Sequence, residues 1–64
     1  MRITLIGAGR VATHLALALK TQHQIVQVLS RNSDHAQYLA HQVNAQAIDQ
    51  VTQLNPQTDM VIIA

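Results

Sequence analysis

The feature that most constrains this chain is a short apolar run, Ile3-Thr4-Leu5-Ile6, that breaks into Gly7-Ala8-Gly9-Arg10-Val11-Ala12 and continues into an alanine- and leucine-rich stretch. Gly7 lets the backbone turn sharply off a strand, Gly9 removes the side chain that would block a phosphate, and Ala12 lets the next helix lie close to a sheet. The start of that helix offers free N–H groups and the positive end of a dipole. The pattern therefore predicts that the pyrophosphate of a dinucleotide rests on Gly7, Ala8, Gly9, Arg10, Val11 and Ala12. Glycines also mark ordinary turns, so Gly-x-Gly-x-x-Ala is weak alone. Context strengthens it: a second strand-like run, Ile25-Val26-Gln27-Val28-Leu29, follows and completes a strand-helix-strand unit.

Helical spacing continues from Val11 to about Lys20, with Val11, Ala12, Leu15, Ala16 and Leu19 on one stripe and Leu17 outside it. Intramolecular packing is the expected fate of Leu17. A second helix is predicted with Ser33 as N-cap and Asp34 in its first turn. Ala36, Leu39, Ala40 and Val43 form its apolar face, and Asn44 suits a left-handed end. A short third strand at Ala45–Ile48 follows, then a short helix capped by Asp49 that uses Val51 and Leu54 and is broken at Asn55-Pro56. Met60–Ala64 is apolar at every position, as expected of a parallel strand covered on both faces.

The alternation of strands and helices predicts an α/β, Rossmann-like doubly wound parallel sheet of order 3-2-1-4. Its crevice lies at the carboxyl ends of the first and fourth strands. Such a sheet normally continues past a fourth strand, so residues 1–64 read as the amino-terminal part of an NAD(P)-binding domain, incomplete at its C-terminal end. A chain this short hides only about 60% of the surface its unfolded form exposes. Without cysteine it has no disulfide or thiolate metal site to compensate.

The end of the second strand normally decides between the nicotinamide cofactors, because an acidic residue there binds the ribose hydroxyls and repels a 2′-phosphate. Here the strand runs into Ser30-Arg31-Asn32, and no carboxylate precedes Asp34. Arg31 can give a phosphate a forked pair of charge-assisted hydrogen bonds, while Ser30 and Asn32 add neutral ones. One or two such contacts favour NADP over NAD by roughly ten- to a thousandfold. Flavin adenine dinucleotide and S-adenosylmethionine sites also use glycine-rich first turns, but commonly want the acidic residue this chain lacks.

The segments Ile6–Leu15, Val28-Leu29-Ser30-Arg31 and Asp59–Ala64 resemble the NADP-binding domain of the pyrroline-5-carboxylate reductase and deazaflavin-dependent NADP reductase group, over essentially the whole chain. The likeness is greatest to a bacterial Rossmann-like family of unassigned function that carries an added carboxy-terminal helical domain. Its glycine loop tends to read Gly-Ala-Gly-Asn-Val-Ala-Thr-His-Leu, so Arg10 stands where asparagine is usual. The resemblance implies NADP held by the Gly7–Ala12 loop and the Ser30–Asn32 corner, with substrate bound largely by residues beyond Ala64.

Other chemistry is poorly supported. A net charge of +1, no basic cluster and Tyr38 as the single aromatic argue against nucleic-acid binding. No segment approaches the roughly twenty apolar residues of a membrane span, and nothing resembles a signal peptide, so a cytoplasmic protein is expected. Among His14, His23, His35 and His41 no metal-ligand spacing occurs, and only His14 is expected near the crevice. Tyr38 is expected to pack, and Asp34, Asp49 and Asp59 to serve caps and loops. The expected function is the NADP(H)-binding part of an oxidoreductase acting on a small substrate, with catalytic residues unassigned. A non-catalytic NADP-binding sensor or structural module shares every residue named, and a third alternative is a half-built crevice that binds nothing by itself. Expected partners are the dinucleotide and a carboxy-terminal domain of the same chain, with a homodimer admitted.

Overall fold

The computed structural model describes all of residues 1–64. Its elements are strand β1 (Arg2–Ile6), helix α1 (Arg10–Leu19), β2 (Gln24–Leu29), α2 (Ser33–Val43), β3 (Gln46–Ile48), a 3₁₀ turn (Val51–Gln53) and β4 (Met60–Ile63). All strand pairs are parallel, and the sheet order is β3-β2-β1-β4, as the alternation requires. In β1 the side chains alternate between faces, so Ile3 and Leu5 share one face and Thr4 points to the other. A register shift between Ile3 and Thr4 skips Val26 and brings Ile25 and Val28 onto the face of Ile3 and Leu5.

That face carries the core. Ile3, Leu5, Ile25 and Val28 pack against Ala12 and Ala16 of α1 and against Ala36, Leu39, Ala40 and Val43 of α2. Small residues at Ala12 and Ala16 let α1 lie against the sheet. The opposite face is polar at its centre. The buried Gln27 donates from Nε2 to the Gln53 carbonyl at 2.7 Å, and its Oε1 accepts from the Asn55 N–H at 2.7 Å and the Thr4 hydroxyl at 3.4 Å. Thr4 also shares a hydrogen bond with the Thr58 hydroxyl at 2.7 Å. These bonds clamp the β3–β4 connection across the sheet and satisfy polar groups that burial would otherwise penalise.

Several local expectations are corrected. Asn32, not Ser33, caps α2: its side-chain oxygen accepts from the His35 N–H at 3.1 Å, which makes Ser33 the first helical residue. Gln50, not Asp49, precedes the 3₁₀ turn, where the Gln50 N–H donates to Gln53 Oε1 and the Gln53 N–H to the Gln50 carbonyl, each at 3.0 Å. On α1 only Ala12 and Ala16 are buried; Leu19 is half-buried, while Val11 and Leu15 are exposed. Lys20 Nζ donates to the Gln42 carbonyl of α2, so that flank of α1 faces α2. Val11 and Leu15 lie on the other flank, which no third helix meets. Leu17 is exposed rather than packed. β4 pairs with β1 alone, and Met60, Val61 and Ile63 are exposed, because both helices stand over the other part of the sheet. The left-handed end of α2 is as expected, with Asn44 at φ 58°.

Candidate functional site

Hydrogen bonds from Gly7 N–H to the Leu29 carbonyl at 2.8 Å and from Ala64 N–H to the Ile6 carbonyl at 2.9 Å lock the end of β1 between its two neighbours. The chain must leave through that narrow gap, and it does so with Gly7 at φ 122°. A Cβ there would run into the Ala64 carbonyl, so both backbone conformation and space demand glycine. Gly9 is the reverse case. Its φ of −80° is open to any residue, and a Cβ would meet no atom within 4 Å. The outer side of the loop is therefore open at the N-cap of α1.

The start of α1 has no side-chain cap and no acidic residue in its first turn. Thr13 donates both its N–H (2.9 Å) and its hydroxyl (2.8 Å) to the Gly9 carbonyl. The N–H groups of the preceding turn, Arg10 to Ala12, have no carbonyl one turn back to accept them. Helix end, missing cap and missing side chain together make a place suited to an anion. Ala12 is buried beneath it, holding the helix to the sheet.

Ser30, Arg31 and Asn32 form the corner between β2 and α2. Ser30 Oγ accepts from the Asn32 N–H at 3.2 Å, and Asn32 Oδ1 is taken by the His35 N–H. Both side chains keep a donor free, the serine proton and the asparagine NH₂, which is the polarity a phosphate needs. Arg31 lines a cleft of about 490 Å³ over the carboxyl ends of the strands, with Ile6, Leu29, Val51, Ile63 and Asp49 among its other walls. A second cavity of about 410 Å³ lies between α1 and α2, bounded by Ala8, Gly9, Arg10, Thr13, His14, His35 and Tyr38. The expected loop and corner thus adjoin two cavities. Two expectations change here: His35 joins His14 beside the glycine loop, and Tyr38 is exposed at the second cavity rather than packed. Their i, i+3 spacing off the Ala36–Leu39 core face was the sequence signal for this. No three His, Asp or Glu side chains are grouped as metal ligands, and no helix is long and apolar enough to cross a membrane.

Comparison with known proteins places this geometry. A sequence profile of the family described as "NADP oxidoreductase coenzyme F420-dependent" matches residues 2–64. A Bacteroides fragilis protein provisionally described as an NADP oxidoreductase superposes with a TM-score of 0.93 at 41% identity, over 98% of this chain and 25% of its own. A myo-inositol dehydrogenase from Corynebacterium glutamicum gives a TM-score of 0.92 at 25% identity, over 100% of this chain and 20% of its own. The gentamicin A biosynthesis protein GenD2, solved in complex with NAD, shares the fold with a TM-score of 0.93 at 16% identity, over 100% of this chain and 20% of its own. The chain spans about a quarter or less of the length of these structures. No curated protein matches it.

Proposed function

The chain belongs to the family of coenzyme F420-dependent NADP oxidoreductases, and from that premise we propose that it is the NADP(H)-binding, amino-terminal part of an oxidoreductase that transfers hydride to or from a small substrate. The observation that carries the reading is the pairing of an uncapped, open helix start at Gly9 with a corner, Ser30-Arg31-Asn32, that has donors and no carboxylate. In this reading the backbone of Gly7, Ala8, Gly9, Arg10, Val11 and Ala12 holds the pyrophosphate. Arg31 grips the 2′-phosphate, and the Ser30 hydroxyl and Asn32 amide donate to it. The nicotinamide supplies the hydride, and the protein binds and orients it. Substrate contacts and proton donors then belong to a carboxy-terminal domain of the same polypeptide, in a cytoplasmic protein that admits a homodimer. The family description and the lack of an acidic residue at the end of β2 support NADP over NAD.

Calorimetric titration of the intact protein with NADPH and NADH, repeated with Arg31→Ala, tests this. NADPH binds tightly to the native protein and roughly ten- to a hundredfold more weakly to the variant, while NADH is weak to both. Failure of both nucleotides to bind would reduce the glycine loop to a scaffold turn and remove the oxidoreductase reading.

A further inference from the structure

The sheet sorts its connections by direction. From β1 to β2 and from β2 to β3 the chain steps toward one edge, and both connecting helices, α1 and α2, lie on the face of Ile3 and Leu5. From β3 to β4 it steps back toward the other edge, and that connection crosses the Thr4 and Gln27 face, where Gln27 bonds to Gln53 and Asn55. A single handedness for parallel crossovers requires this division. A strand added outside β4 continues the second direction, so its crossover also runs over the Thr4 face and covers Val61 and Ile63 there.

No such connection reaches the other face of β4. On α1, Val11, Leu15 and Ala18 recur at i, i+4 and i+7 on the flank away from α2, and all three are exposed. Met60 pairs with Ile3, so it lies on the helix-bearing face of β4, where it is 43% exposed; Ile62, on the same face, is only partly buried against the core. The α1 flank and β4 thus form a trough with an apolar wall and an apolar floor, and contiguous apolar surface of this kind marks a packing site. We propose that this trough seats a helix from the polypeptide beyond the sheet, which returns to this face after the crossovers on the other side are complete. The length for it is present in the relatives: the Bacteroides fragilis structure matches these residues with only 25% of its own chain. A helix is the element that fits, because it extends the layer α1 and α2 already form and buries a stripe at helical spacing. The inference rests on the reading that a carboxy-terminal part follows, and not on which nucleotide the glycine loop holds.

The test uses Leu15→Cys, Ala18→Cys and Leu17→Cys in the intact protein, one at a time, with the maleimide labelling rate of each read from its own peptide by mass spectrometry. Leu17 is exposed as well but lies outside the stripe, so it serves as the reference. Leu15→Cys and Ala18→Cys react roughly a hundredfold more slowly than Leu17→Cys, because labelling waits for the docked helix to lift. A photo-reactive phenylalanine analogue in place of Leu15 then captures a residue of the same polypeptide beyond the sheet, in a product of monomer mass. Equal labelling rates overturn the proposal by showing an open trough. A cross-link of doubled mass also overturns it, by making a second copy the occupant. NADPH titration of Ala18→Cys separates the two readings: binding without protection removes the docked helix alone, and protection without binding of NADPH or NADH removes the proposed function alone.

Discussion

The two glycines of the first loop are separated only by Ala8, at most about 7 Å of extended chain, yet do opposite things. Gly7 is demanded by the protein itself, since its positive φ and the Ala64 carbonyl leave no room for a side chain. Gly7→Ala therefore destabilises by about 1–3 kcal/mol from backbone conformation alone, with the steric clash in addition, read as a lower urea midpoint. Gly9 has space around it, so Gly9→Ala leaves stability within about 0.5 kcal/mol. If the loop faces pyrophosphate, that same variant loses dinucleotide affinity, and unchanged NADPH binding would show that the open side of Gly9 faces nothing. The two neighbouring residues at the start of α2 also differ. Asn32→Ala costs about 1 kcal/mol in urea denaturation because it removes the acceptor for the His35 N–H, whereas Ser33→Ala stays within about 0.5 kcal/mol.

At the scale of elements, the strands, both helices and the sheet order were legible in the sequence because each is written in a local code: period 2 or continuous apolar runs, period 3.6, and a turn residue at each break. What was not legible depends on distant partners. The spacing of Val11 and Leu15 fits a core face, but their burial depends on a neighbouring helix over β4, and none stands there. Similarly, Asn32 and Ser33 are equally good caps as residue types, and only the path of the chain out of β2 chooses between them. His35 and Tyr38 could be placed on a helix from sequence, yet their position beside the glycine loop follows from the packing of α2 next to α1. Gln27 is the clearest case, a polar residue inside a strand whose partners lie on a connection over twenty residues away. Gln27→Met keeps the volume but leaves the Gln53 carbonyl and the Asn55 N–H without their partner. The expected loss is about 2 kcal/mol or more by denaturant titration, and a variant as stable as the native chain would mean that water replaces the clamp fully.

For the molecule as a whole, the glycine loop, the Ser30–Asn32 corner and the Asp49 turn all stand at the carboxyl end of one small parallel sheet, where neighbouring strand ends bring distant residues together. Only 14 of the 64 residues are buried, so the core is thin and the 64-residue chain by itself unfolds with less than about 5 kcal/mol, as a urea melt would read. Saturating NADPH at a hundred times its dissociation constant adds about 2.7 kcal/mol to whatever state binds it. Where that nucleotide lies is read from the backbone amide chemical shifts of the isotope-labelled protein during NADPH titration. Saturable shifts are expected, concentrated at Gly7–Ala12 and Ser30–Asn32. Shifts confined to other segments, or none at all, would remove the nucleotide from the glycine loop and the corner.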